Sequence, residues 1–450
     1  MREAVKPYLT ARVPRYTSYP TAPHFSPEIG AETVGGWLAS LAPGSSLSLY
    51  LHVPFCQKMC WYCGCNMRLV ARYDPVAAYV DRLIAEIHQK ADALGHRQTL
   101  HHIHWGGGTP TTLSPADFAR VDAAIRERFD VADDAEIAVE IDPRTLDRET
   151  VAALAQMGCN RASLGVQEFD PQVQLAINRV QPFETVKQVC DWLRDAGIEA
   201  LNFDLMYGLP HQTAEMLDDT VRRAVDLDPA RIAVFGYAHV PWMAKNQRKI
   251  DEDALASPET RFDMAEQAGA LLEALGYQAI GMDHFARPDD SLAVAARNGH
   301  LRRNFQGYTT DQADALIGLG ASAISALPQG YAQNVVQTND YERAVDAGAL
   351  PVAKGLTLSE EDIWRRAVIE RLMCDFAVDL EAIALRFGLS QAAFAEDLER
   401  LRPLEADGLA RIDGPQVHIT AEGRALSRVV AAAFDVYLAG QGAVKRHATV

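Results

Sequence analysis

From Ser46 onward the hydrophobic positions repeat a pattern in which short apolar, β-branched runs alternate with longer amphipathic stretches. The run SLSLYLHVPF, ending at Phe55, reads as a buried strand. Residues 74–94 place Val80, Leu83, Ile84 and Ile87 at i, i+3, i+4 and i+7, the spacing of one helical face. TLHHIHW (99–105) reads as a second strand and runs straight into Gly106-Gly107-Gly108-Thr109-Pro110. Ser114, with Pro115 and Asp117 behind it, predicts a capped helix start. Further strands are predicted at 136–143, 161–169, 199–210 and 231–241, each followed by a helical stretch, and a seventh strand-like run covers 277–286. Six alternating β/α units imply an α/β protein with a parallel sheet and right-handed crossovers. An open doubly wound sheet and a full or partial barrel both satisfy that pattern. Either architecture binds ligands at the C-terminal ends of its strands, where the polar and glycine-rich residues of this chain collect.

After about Leu356 the alternation stops. Residues 359–410 read as helix-rich, and 410–420 as a small hairpin turning at Gly414-Pro415. Helix–helix–wing order invites a nucleic-acid reading, but the segment is rich in Asp and Glu and has no basic face, so it is read as a packing domain. The predicted organisation is an N-terminal arm over 1–45, an α/β core with a substrate-binding extension over 46–345, and a mostly helical C-terminal domain over 346–450.

Charge and composition narrow the function. With 43 Lys+Arg against 60 Asp+Glu, the net charge of −17 argues against a nucleic-acid coat or a basic membrane-surface protein. No apolar stretch is long enough for a membrane span, the run near the C-terminus being broken by Asp435. The N-terminus lacks the apolar segment of a secretory signal, so a cytoplasmic protein is expected. Four of the seven cysteines, Cys56, Cys60, Cys63 and Cys65, crowd into one short loop, which argues for metal or redox chemistry over a disulfide framework. Cys159, Cys190 and Cys374 stand singly and read as buried core thiols.

The cysteine loop, Cys56-x-x-x-Cys60-x-x-Cys63, directly follows the first strand. Three thiolates on one loop can hold three irons of a cubane 4Fe–4S cluster and leave the fourth iron open for a ligand. Structural zinc usually wants two separated ligand pairs, and no second C-x-x-C is present. A redox pair at Cys60 and Cys63 would leave Cys56 without a task. Gly106-Gly107-Gly108 lets backbone approach a ligand closely, the plain alternative being a tight strand-to-helix turn. Strand alternation puts Ala138, Glu140 and Asp142 on one face, and a carboxylate inside a barrel needs hydrogen-bond donors, such as a ligand's amine or hydroxyl groups.

The three-cysteine loop after the first strand and the GGGTP turn after the second resemble the radical S-adenosylmethionine superfamily. Further blocks narrow the resemblance to the oxygen-independent coproporphyrinogen III oxidases: PRYTSYP (14–20), Cys65, HFARPDD (284–290) and NFQGYTT (304–310). The resemblance covers essentially the whole chain. It implies a partial (β/α)6 barrel, a 4Fe–4S cluster on Cys56, Cys60 and Cys63, and two S-adenosylmethionine molecules. By resemblance, Tyr50, Gly107, Glu140 and the backbone near Ile324 contact the cluster-bound one. Tyr62, Gly108, Thr109, Gln167, Arg179, Asp204 and Ala238 contact the second. Position 62 is often Phe in the family, and either ring can stack on an adenine or the cluster. A structural salt bridge is the plain alternative for Arg179 and Asp204. Cys65 is implied to act near the cluster, by hydrogen bonding or redox assistance.

The implied reaction uses a 5′-deoxyadenosyl radical to convert two propionates of coproporphyrinogen III into the vinyl groups of protoporphyrinogen IX. The implied partners are that porphyrinogen and an electron donor such as flavodoxin or ferredoxin, with no nucleic acid and no membrane span, and the chain is expected to be monomeric. Candidates for holding the four propionates and the macrocycle are Arg15, His52, His284, Arg287, Arg302, Arg303, Tyr16, Tyr19 and Tyr308. Two rivals share the scaffold: a haem-binding chaperone, which usually lacks the PRYTSYP arm and Cys65, and a radical tetrapyrrole methyltransferase.

Overall fold

The computed structural model describes residues 3–438, and a twelve-stranded sheet organises most of them. A helix, α1 (Ala31–Ala39), leads into β1 (Ser46–Val53), α2 (Asp74–Leu94), β2 (Thr99–Gly107) and α3 (Pro115–Arg128). There follow β3 (Asp130–Ile141), α4 (Arg148–Gln156), β4 (Arg161–Gln167), α5 (Phe183–Asp195), β5 (Ala200–Tyr207), α6 (Ala214–Asp226), β6 (Arg231–Gly236) and α7 (Pro258–Ala274). Strands β1 to β6 pair in parallel in chain order, so the predicted six-unit partial barrel is present. The sheet continues on both sides without closing. Beyond β6 come β7 (Gln278–Ile280) and β8 (His284–Ala286); beyond β1 come β9 (Ala315–Leu319), β10 (Ile324–Leu327), β11 (Gly330–Asn334) and β12 (Val352–Thr357).

The period of two along β1 shows why these residues form a buried strand. Leu47, Leu49, Leu51 and Val53 are each at most 1% exposed and share one apolar core with Leu83 and Ile87 of α2. Ser48, Tyr50 and His52 alternate with them and face the other way, into the barrel. The helices begin where capping side chains satisfy free amides. Ser114 accepts from Asp117 N at 3.2 Å and Asp147 from Thr150 N at 2.8 Å, each cap contributing about 1 kcal/mol.

Four expectations are corrected. The run 277–286 is a hairpin, because Gly281, at φ +60°, reverses the chain between β7 and β8, and β8 pairs antiparallel to β6. Apolar alternation carries no sign of strand direction, so the reversal is invisible to it. Strand β3 starts at Asp130 instead of 136, while β4, β5 and β6 end at 167, 207 and 236, short of the predicted 169, 210 and 241. The residues released are loops at the strand ends. Third, β12 pairs with β11, so the large sheet runs past residue 345 to 357 through backbone bonds that side-chain patterning does not reveal.

The arm is the fourth correction, because it is divided. Val34 and Leu38 of α1 join the main core, whereas Val5, Leu9, Tyr16 and Tyr19 pack in a second core with the C-terminal unit. That unit holds α8 (Glu360–Asp375) and a three-stranded sheet of β13 (Ala377–Asp379), β14 (Ala410–Asp413) and β15 (Gln416–Ile419). Strands β14 and β15 form the predicted hairpin, turning at Gly414 with φ +58°, and β13 is an added third strand. Among the described residues no helix is long and apolar enough to cross a membrane.

Candidate active site

The cysteine loop leaves the C-terminal end of β1 and is laced to the end of β2. Gly108 N donates to Val53 O at 2.9 Å and Thr109 N to Phe55 O at 2.8 Å. A Cβ on Gly108 would lie 2.7 Å from Phe55 O, so glycine is what lets the two backbones meet. Cys56 Sγ sits 3.4 Å from Thr109 Oγ1, and burial pushes its thiol up to about 11. Two guanidiniums reach Cys60 Sγ, Arg144 Nη2 at 3.2 Å and Arg179 Nη1 at 3.3 Å. Cys63 Sγ accepts from Cys65 N at 3.4 Å, and the hydrogen bond from the Cys65 side chain draws its thiol down to about 7.

Three amide side chains fasten this loop from outside. Asn246 Nδ2 donates to the carbonyls of Cys60 (3.1 Å), Trp61 (3.1 Å) and Cys63 (2.8 Å). Gln247, almost wholly buried, donates to Tyr62 O at 2.7 Å, and Asn178 donates to Met59 O at 2.8 Å.

Inside the barrel, Tyr50 OH lies 3.0 Å from His52 Nδ1, and its ring stacks on His104 at 5.9 Å between centroids. His104 Nε2 is 3.3 Å from Glu140 Oε1, while Gly107 N donates to Glu140 Oε2 at 3.1 Å. Ile324 opens β10, with its backbone against Gly318, the register partner of Tyr50. Tyr50, Gly107, Glu140 and the Ile324 backbone thus border one region.

The second predicted set rings the same end. Tyr62 is half-buried beside Arg179, and Gln167, at φ +67°, turns out of β4 towards Gly165. Arg179 pairs with Asp142 at 3.5 Å, not with Asp204. Burial opposes ionisation of Asp142, but Arg179 and Arg144 prevail and hold it down at about 2. Asp204, in register with Gly165 and Ala233, is pushed up to about 7 by burial and by the nearby Glu140 charge. Ala238 O accepts from the Gln247 amide at 3.2 Å.

Beyond Ala238 a cavity of about 340 Å³ opens between the arm, β5, β6, α7 and the C-terminal unit, lined among others by Arg15, Tyr207, Arg261 and Arg428. Of the predicted substrate residues, Arg15 lines it, and His284 stands at its edge bonded to Asp283, a lining residue. Arg303 reaches the Arg15 carbonyl at 3.4 Å and, with Tyr16, Tyr19 and Arg302, lines a second cavity of about 510 Å³; the rest lie elsewhere. His52 is held inside the barrel by Tyr50 and Asn66 O. Arg287 pairs with Asp228 on the surface, and Arg302 with Glu370 at 2.8 Å. Tyr16 OH donates to Asp435 at 2.9 Å, Tyr308 OH donates to Met373 O at 2.8 Å, and the Tyr19 ring packs in the second core. Cys159, Cys190 and Cys374 are buried, as expected of core thiols.

Comparison with known proteins now bears on this geometry. Residues 50–224 match the Radical SAM superfamily and residues 358–426 the HemN C-terminal domain. Over 431 residues the chain is 54% identical to the oxygen-independent coproporphyrinogen III oxidase of Bradyrhizobium diazoefficiens, covering 96% of each. It is 47% identical to the enzyme of that name from Paracoccus denitrificans, covering 95% of this chain and 94% of that one. The chain belongs to the oxygen-independent coproporphyrinogen III oxidase family. The family's solved Escherichia coli coproporphyrinogen III oxidase, a radical SAM enzyme, superposes with a TM-score of 0.90 at 41% identity, covering 95% of this chain and all of the other.

An oxidase of this family carries a 4Fe–4S cluster and S-adenosylmethionine, and the residues present fit them. Among the described residues no three His, Cys, Asp or Glu side chains form the tight shell of a single ion. A cubane instead takes one thiolate per iron. The two guanidiniums on Cys60 Sγ would balance the charge of a sulfur ligated to iron. Sequence reasoning did not single out Arg144, Asn246, Gln247, Arg261 or Arg428. Arg144 follows Asp142 by two residues, directly after the predicted strand 136–143, and could have been found there. The other four have no local signal, because each acts on residues far away in the chain.

Proposed function

We propose that this chain oxidatively decarboxylates two propionates of coproporphyrinogen III to vinyl groups without oxygen, giving protoporphyrinogen IX for haem biosynthesis. The observation that carries the reading is the three-cysteine loop, with arginines on its central thiol, at the strand ends beside an arginine-lined cavity. Cys56, Cys60 and Cys63 would hold the cluster, and Tyr50, Gly107, Glu140 and Ile324 the adenosylmethionine bound to it. Tyr62, Gly108, Thr109, Gln167, Arg179, Asp204 and Ala238 would line the second. When bound, cluster and adenosylmethionine supply one-electron chemistry that ends in hydrogen-atom abstraction.

The protein's own residues bind, orient and exclude water. Gly107 N and the His104 ring keep Glu140 in place for a ligand amine, and Arg144 and Arg179 would balance the charge of Cys60 once it ligates iron. Each propionate loses one hydrogen atom from its β-carbon, then carbon dioxide and one electron, which passes to an external one-electron acceptor, leaving the vinyl double bond. A reduced flavodoxin or ferredoxin supplies electrons to a monomeric, cytoplasmic enzyme in this reading.

The test is anaerobic turnover of the reconstituted, reduced protein with S-adenosylmethionine and coproporphyrinogen III, followed by mass spectrometry. Loss of two carboxyl groups as carbon dioxide with 5′-deoxyadenosine formed, abolished by Cys60→Ala, is expected. Tight haem binding without decarboxylation, or a methylated product, would overturn the reading.

A further inference from the structure

Four arginines from four separate parts of the chain meet near the ends of β5 and β6. Arg15 of the arm, Arg261 of α7 and Arg428 of the C-terminal unit line the cavity. Arg303 donates to the Arg15 carbonyl at 3.4 Å and lies 4.4 Å from the centroid of the Tyr308 ring. Their charges act on one another: Arg303 on Arg15, Arg15 on Arg261, and both Arg15 and Arg303 on Arg428. Among the described residues, Asp283 is a carboxylate that faces Arg15, Arg303 and Arg428, and it is bonded to His284 at 2.7 Å.

Three of these guanidiniums thus share one cavity in a chain whose net charge is −17. Burial and like charges push Arg428 down to about 10. Arg261 Nε and the Nε and Nη1 atoms of Arg303 are buried without a hydrogen-bond partner. Gly208, at φ +74°, has no Cβ, and one built there would stand 2.6 Å from Arg261 Nε, so the backbone makes room for that guanidinium. A buried guanidinium nitrogen without an acceptor is unfavourable unless an anion supplies one.

We propose that Arg15, Arg261 and Arg428 form a carboxylate-binding cluster that grips the propionates of coproporphyrinogen III that survive the reaction. The proposal rests on the function inferred above. A reacting propionate loses its carboxyl as carbon dioxide and is poorly held by a guanidinium grip, whereas a spectator propionate keeps its charge throughout. Gripping the spectators at this end turns a reacting side chain towards the cysteine loop. Gln247 joins the two ends, donating both to Ala238 on the cavity wall and to Tyr62 of that loop.

The test measures binding of coproporphyrin III, the oxidised tetracarboxylate, and of its tetramethyl ester to the cluster-loaded protein by fluorescence quenching. Arg261→Gln and Arg15→Gln are each expected to weaken binding of the acid roughly tenfold or more, the usual effect of losing a charged hydrogen bond. Both should raise KM for coproporphyrinogen III far more than they lower kcat, and leave cluster absorbance as in wild type. Arg261→Lys should recover part of the loss, and Arg287→Gln, at the surface, should bind as wild type does. Arg428→Gln is read together with its circular dichroism, and the other two variants decide the case. Variants within twofold of wild type, or an ester bound as tightly as the acid, overturn the cluster. Wild-type turnover to protoporphyrinogen IX with unaffected arginine variants defeats the cluster alone; no turnover by wild type defeats the function as well.

Discussion

Asn246 offers the sharpest test of how the cysteine loop is held. Its single NH₂ group faces three carbonyls, those of Cys60, Trp61 and Cys63, at 3.1, 3.1 and 2.8 Å. Two hydrogens cannot make three full bonds, so two bonds of about 1 kcal/mol each, roughly 2 kcal/mol in all, is the working magnitude. Asn246→Ala should therefore favour the open loop by about 30-fold. Asn246→Asp should do worse, because it sets a carboxylate oxygen against three carbonyl oxygens where a donor stood. The assay is iron content after reconstitution and the rate of iron loss to a chelator under anaerobic conditions. Loss should run fastest in Asn246→Asp, then Asn246→Ala, then wild type. Equal rates for all three, or Asn246→Asp behaving as wild type, would refute the argument that the amide holds the loop.

Three further outcomes follow from named contacts. Asp204 is pushed up to about 7, so the folded apo-protein keeps a proton there that the unfolded chain loses near pH 4. The folded state then loses stability as pH rises from about 4 to 7, and Asp204→Asn should gain roughly 2–4 kcal/mol over wild type at pH 8 and nothing at pH 4 in urea melts. Gly108→Ala should lose about 1–3 kcal/mol in the same melts, since the new Cβ meets the Phe55 backbone, which side-chain movement cannot relieve. Cys65→Ala should keep the brown colour and iron content of wild type, because the backbone amide at 65 still donates to Cys63 Sγ, whereas Cys63→Ala should lose both.

The chain's own order determined the repeating units, the cysteine loop and the triple glycine, because each is a local pattern. Leu47, Leu49, Leu51 and Val53 announce a strand by their spacing, and Cys56, Cys60 and Cys63 announce a ligand set by theirs. Strand ends were less legible: Gln167 leaves β4 through a positive φ that no side-chain pattern foretells, and β12 joins the sheet by backbone bonds alone. Tertiary structure alone decided which polar residues act together. His52, Arg287 and Arg302 were chosen by charge and motif, yet their partners are Tyr50, Asp228 and Glu370. Asn246, Arg261 and Arg428 looked ordinary in sequence. Their importance comes from what the folded chain sets beside them: three carbonyls for the amide, and for the arginines one shared cavity. A hydrogen bond or a Coulomb interaction acts over a few ångströms of space, whatever number of residues separates its partners, so only the fold could reveal them.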